Sequence, residues 1–189
     1  MKLIIKHQRL LVVLILLLTI TASAQNTIKP LKGYSNDIGN MVAMLEDLRG
    51  RVTRSVANLS QDETDFLLDD KANRVGALIL HLAATEKYYQ VYTFENRSFN
   101  TEEQKQWEIA LNLGDIARET IKGKPIRYYL DIWNEVRAET KALLKTKDDK
   151  WFKSRVNGSS MNNHWAWYHV MEHQANHMGQ IRLITKRTN

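Results

Sequence analysis

His169, His173 and His177 stand four residues apart near the C-terminal end of the sequence, with Gln180 just beyond them. On an α-helix that spacing puts three imidazoles on one side, drifting by about 40° per step, with Gln180 at nearly the same angle. Ala166, Val170 and Ile184 lie near or beside that face, so the histidines are turned inward. A neutral imidazole carries one donor and one acceptor, and both need partners when buried. Protonated rings at this spacing would repel. A divalent cation resolves both problems, because it binds neutral imidazoles and concentrates them. Imidazole suits zinc, nickel, copper and iron; zinc or nickel is the expected ion.

Adjacent histidines of the series can reach one ion. All three cannot easily do so, because the outer pair are about 12 Å apart along a helix axis. Two of the three therefore bind, and a third ligand comes from another helix. No Asp or Glu follows Glu172, and the remaining histidine at a core edge is His81. A site of three histidines with an open position is the arrangement of catalytic rather than structural zinc. His164 points about 180° away from His173. His169-Val170-Met171-Glu172-His173 also matches the H-x-x-E-H pattern of a metalloprotease class. That class wants a further acidic ligand downstream, which is absent, so the match is read as accidental and Glu172 as solvated or lying behind the ligands.

The elements that must carry these residues are long helices. Eight Gly and two Pro in 189 residues argue against a many-turned β-sandwich. Met41, Leu45, Leu48, Val52, Val56 and Leu59 recur at helical steps and mark a first long helix. Ser60 with Glu63 reads as a capping box opening a short helical turn. A second long helix runs from about Asn73 to Glu95 with the stripe Val75, Leu78, Ile79, Leu82 and Tyr89, and His81 at its edge. Thr101 to Ile121 is more polar, is capped by Thr101 with Gln104, and is expected as a connecting helix on the outside. Pro125, the first residue of the third long helix, follows the break at Gly123. Lys147 to Gly158 reads as a charged loop anchored by Trp151 and Phe152, and the last helix starts near Ser160. The expected fold is all-α: a four-helix bundle with an extra peripheral connecting helix.

The run His169 to Gln180 (HVMEHQANHMGQ) resembles the C-terminal signature of the DinB-like superfamily, with His four apart followed closely by Gly-Gln. His81-Leu82-Ala83-Ala84-Thr85-Glu86-Lys87-Tyr88-Tyr89 resembles that superfamily's second-helix motif, and Leu59 to Glu63 resembles the turn between its first two helices. The similarity runs from about Tyr34 to Lys186. It implies a four-helix bundle with a metal held by His81, His173 and His177, which leaves His169 and Gln180 as pocket or supporting residues. Many relatives have His-His-Arg-Gly-Gln where this chain has Asn176-His177-Met178-Gly179-Gln180. The missing His and Arg flank the ligand, so metal binding is expected to survive. The resemblance also implies thiol S-transferase or thiol-dependent isomerase chemistry for some members, and a homodimer.

Lys2, Lys6 and Arg9, the apolar run Leu10 to Ile20 and Ala22-Ser23-Ala24 form the pattern of a secretory signal cleaved before Gln25. The apolar core is shorter than the roughly 20 residues of a spanning helix, so no stable membrane anchor is expected after cleavage. Residues 1–24 are read as the signal peptide, 25–33 as a leader and 34–189 as the bundle domain. The chain is expected to be exported, periplasmic or secreted, from a bacterium. Removing three positive charges and no negative one from a net +6 leaves +3. With no basic stripe interleaved with aromatics, nucleic-acid binding is not expected. The absence of Cys excludes disulfides and a cysteine nucleophile.

Two functions compete on these residues. One is a metal-dependent enzyme acting on a small molecule by hydrolysis or thiol transfer, with hydrolysis slightly ahead because cytosolic thiols are not expected outside the inner membrane. The other is a non-catalytic metal- or ligand-binding bundle, since no general base stands out. Glu86 lies about 140° round the helix from His81 and is expected to anchor a neighbouring helix. Tyr88 and Tyr92 lie nearer to His81.

Overall fold

Helix α1 (Asn36–Val56) buries Ile38, Met41, Val42, Leu45, Val52 and Val56 along one face. Its first turn is capped from far along the chain: Ser35 Oγ and the backbone N–H groups of Asp37 and Ile38 all donate to Asp149 Oδ1. The computed structural model describes residues 27–188; the expected signal segment, 1–24, lies outside the described residues.

The turn after α1 holds the short helix α2 (Gln61–Asp65), opened by the expected capping box of Ser60 and Glu63. Helix α3 (Val75–Gln90) is the central element, buried along nearly its whole length, and continues as a π-helical turn over Val91–Glu95. Gly76 lets α3 approach its neighbour: a Cβ there would lie 2.5 Å from the Tyr129 ring. Asn96, left-handed at φ 54°, ends the turn.

The polar segment expected as one helix is two, α4 (Thr101–Asn112) and α5 (Gly114–Thr120). The chain bends at Leu113 and Gly114, both with positive φ. The bend lets Trp107 and Ala110 pack from one piece while Ala117 packs from the other. The cap also sits one residue earlier than expected. Asn100 Oδ1 accepts from Glu102 and Glu103, and Glu103 returns the bond to the Asn100 N–H. A carboxylate makes that reciprocal bond well; Gln104 instead donates to the Phe99 carbonyl.

Helix α6 (Ile126–Lys145) begins just after Pro125, which occupies the capping position. The segment expected as a charged loop contains a short helix, α7 (Asp149–Lys153), capped by Asp148 and anchored by fully buried Phe152. Helix α8 (Asn163–Thr185) starts three residues later than expected, because Arg155 and Asn162 first form a small antiparallel bridge and Asn162 then caps the helix.

Around the bundle, α3 packs against α6 and α8, and α1 against α8 and α6, while α4 covers α3 from outside. The core is two apolar clusters. One centres on Leu78, Leu82, Trp133 and Ile181, the other on Leu45, Leu144, Trp167 and Val170. Between them in sequence on all four long helices lie polar residues: Glu46, Thr85 with Glu86, Arg137 with Thr140, and His173 with Gln174. A polar layer thus crosses the bundle. No helix among the described residues is long and apolar enough to cross a membrane.

Candidate metal centre

His81 is 7% exposed on α3. Its Nδ1 lies 2.9 Å from the Ala110 carbonyl oxygen of α4. A carbonyl only accepts, so Nδ1 carries the proton and Nε2 keeps a free lone pair. His177 is fixed in the same way, its Nδ1 donating to Gln180 Oε1 at 2.8 Å. His173 lies between them on α8. Its Nε2 is 2.7 Å from His81 Nε2 and 3.5 Å from the Thr85 hydroxyl. The three rings form a near-equilateral cluster with centroid separations of 4.5, 4.7 and 4.8 Å.

Burial pushes the pKa of His81 down to about 4, despite the hydrogen bond to Ala110 that works the other way. Burial, reinforced by the neighbouring histidines, pushes His173 down to about 3. Burial lowers His177 as well. All three are neutral near pH 7, the protonation state a metal ligand needs.

One ligand atom from each of these histidines lies within 4.8 Å of the others. Tetrahedral zinc at about 2.0–2.1 Å from each nitrogen spaces its ligand atoms about 3.3–3.4 Å apart. That lies between the 2.7 Å and 4.8 Å seen here, so small ring rotations suffice. Outer hydrogen bonds from the far nitrogens of His81 and His177 are what orient metal-binding imidazoles. The donor set fits a divalent ion.

His169 stands outside this cluster. Its ring stacks on Trp165 at 5.2 Å, lies 5.8 Å from Tyr89, and bonds Glu172 through Nδ1. It still approaches His173, with ring centroids 5.7 Å apart. His164 is exposed and stacks on Phe152, away from the site. Glu172 is occupied by His169 and Asn176 and stays out of the cluster. Tyr88 packs against Tyr89, Tyr92 and Phe99, and it is Tyr89 that reaches the histidine helix. Glu86 faces α6, where Arg137, Trp133 and Thr140 take up its oxygens.

The Ala110 carbonyl and the Thr85 hydroxyl join the site without being among the residues expected from the sequence. A backbone carbonyl leaves no trace in residue type. Thr85 sits one turn after His81, and that spacing was the available signal.

Helix order and the position of the histidine cluster define a DinB-like bundle with a three-histidine centre. The model of the Mycothiol-S-transferase family matches residues 40–188, most of the chain, and the chain belongs to that family. A search of curated proteins finds no match.

Proposed function

We propose that this protein is a metal-dependent S-transferase, in which His81, His173 and His177 hold a divalent ion, zinc or nickel, and a thiol takes the remaining position. The observation that carries the reading is the convergence of three neutral imidazoles, two of them with their far nitrogens already tied. A divalent ion there supplies the charge that lowers the pKa of a bound thiol or water. Ala110 and Gln180 hold two of the rings in the required tautomer, and Thr85 offers a hydroxyl beside His173. In the transfer the thiol loses its proton to solvent, sulfur bonds an electrophilic carbon, and that carbon's leaving group departs with its electron pair.

The family match moves the balance from hydrolysis, which the export signal favours, toward thiol transfer. Protein purified without a His tag is expected to contain close to one equivalent of divalent metal and to conjugate a low-molecular-weight thiol to an activated aryl halide. Metal without conjugation across a panel of thiols, esters and amides would support the second reading, a non-catalytic metal- or ligand-binding bundle. That reading draws on the lack of a carboxylate in the cluster.

The remaining proposals rest on the sequence and, for the homodimer, on the family resemblance. The chain is exported with residues 1–24 removed, acts in the periplasm or outside the cell on a small molecule, binds no nucleic acid, and forms a homodimer. Intact mass of protein from the native host tests the first of these; a chain still carrying residues 1–24 in the membrane fraction would overturn it.

A further inference from the structure

One turn along α8 from the histidine cluster, the surface opens into a cavity of about 190 Å³, lined by Leu68, Asn73, Leu78, Gln180, Leu183 and Ile184 among others. The position ties it to the cluster from both helices. Gln180, which holds His177, is one wall, and Leu78, one turn before His81 on α3, is another. Leu183 and Leu68, at 49% and 37% exposed, are large apolar side chains left open to solvent here. Scattered exposed leucines are ordinary, but two on one concave wall next to a candidate reaction centre mark a binding surface.

The cavity is open to solvent, so its volume sets the size of the group it seats rather than of the whole occupant. An aliphatic cavity of about 150 Å³ is enough to bind benzene, whereas whole drug-sized ligands need roughly 300 Å³ or more. This cavity therefore takes one ring or a group of similar bulk. Its polar handle is the open end of the Asn73 side-chain amide, which lines the cavity and makes no side-chain hydrogen bond among the described residues; the other end of the amide, Oδ1, is buried away from the occupant. A hydroxyl on the occupant satisfies that amide whichever way it is turned, since a hydroxyl both donates and accepts.

We propose that this cavity seats the apolar ring of a small molecule that also carries a hydroxyl-like group, held against Leu68, Leu78, Leu183 and Ile184 with its polar group on Asn73. That the ring belongs to the acceptor of the thiol rests on the S-transferase reading; the binding itself does not.

The test uses benzyl alcohol as probe and toluene as its hydroxyl-less counterpart, titrated into the metal-free chain and followed by amide shifts in two-dimensional NMR. Saturable shifts are expected at Leu68, Asn73, Leu78 and Leu183, with benzyl alcohol bound several-fold more tightly than toluene. Leu183→Trp, at an exposed helix position, should fill the mouth and weaken both probes at least tenfold while zinc affinity stays within twofold of the parent. Asn73→Ala should erase the preference for the alcohol and leave toluene unchanged. Leu68→Trp fills the same mouth if Leu183→Trp proves unstable. Shifts centred elsewhere, or unchanged binding in the filled variants, would overturn the proposal. Binding at this cavity without thiol conjugation in the metal-loaded protein would overturn the S-transferase reading and leave the cavity's ligand standing.

Discussion

Two polar clusters belong to the same layer of the bundle, and they are built on opposite terms. On one side Glu86 is fully buried and receives Arg137 Nε at 2.6 Å, Arg137 Nη2 at 2.8 Å, Thr140 Oγ1 at 2.6 Å and Trp133 Nε1 at 3.1 Å. Arg137 also reaches Glu46, which Lys141 and Arg49 contact in turn. Burial alone would lower the pKa of Arg137, and Glu86 and Glu46 reverse that. This network satisfies itself. On the other side His81, His173 and His177 place nitrogens against nitrogens and lose basicity through burial. The first cluster needs nothing from outside. The second gathers three imidazoles with the donor set a divalent cation takes, and this separates a fold-holding polar core from a candidate site.

The difference can be broken most strongly from the self-sufficient side. Arg137→Met leaves Glu86 as a buried carboxylate without its cation and should destabilise the protein by about 3–5 kcal/mol in urea unfolding. Replacing both partners, Glu86→Leu with Arg137→Met, should recover most of that loss. If the single and double variants unfold alike, the pair is not the buried ion pair described here.

On the histidine side the loss appears in metal affinity rather than in folding. His81→Ala, His173→Ala and His177→Ala should each weaken zinc binding by more than about 100-fold, the upper end for supporting partners. His169→Ala and Gln180→Ala should fall within about 10- to 100-fold, and His164→Ala should change nothing measurable. Calorimetric titration of zinc into the metal-free variants ranks them. If His169→Ala proved worse than His177→Ala, the ligand pair would lie one helical turn earlier.

The smallest expected effect is on pH dependence. In the folded metal-free chain His81 and His173 titrate near 4 and 3, below their ordinary 6.5. Between those values the unfolded chain binds more protons, so acid favours unfolding. The stabilisation is fully present above about pH 6.5 and is lost progressively as pH falls through 4 toward 3. Thermal melts of the metal-free protein should be flat from pH 8 to 6.5 and then decline, with a shallower decline in His81→Ala. A melting temperature that rises on acidification would contradict buried neutral rings.

Much of this arrangement was legible in residue order. The steps of three and four in Met41 to Val56, the Ser60–Glu63 box and the four-residue spacing of His169, His173 and His177 report local helix geometry, which neighbouring residues determine by themselves. His81 was legible as their partner because the downstream chain has no acidic residue to compete. The expectation that Glu86 anchors a neighbour also agrees with its contacts to α6. What the sequence left open depends on residues far apart in the chain. Leu113 took a positive φ of 55° with ψ −143°, which its type does not advertise, splitting α4 from α5. Asp149 capped α1 from more than a hundred residues away. The Ala110 carbonyl became the partner of His81 because α4 packs across α3, and every residue carries a carbonyl, so no residue type marks that one out. Local spacing determined which histidines face together; packing between helices decided which of them meet, and with which nitrogen free.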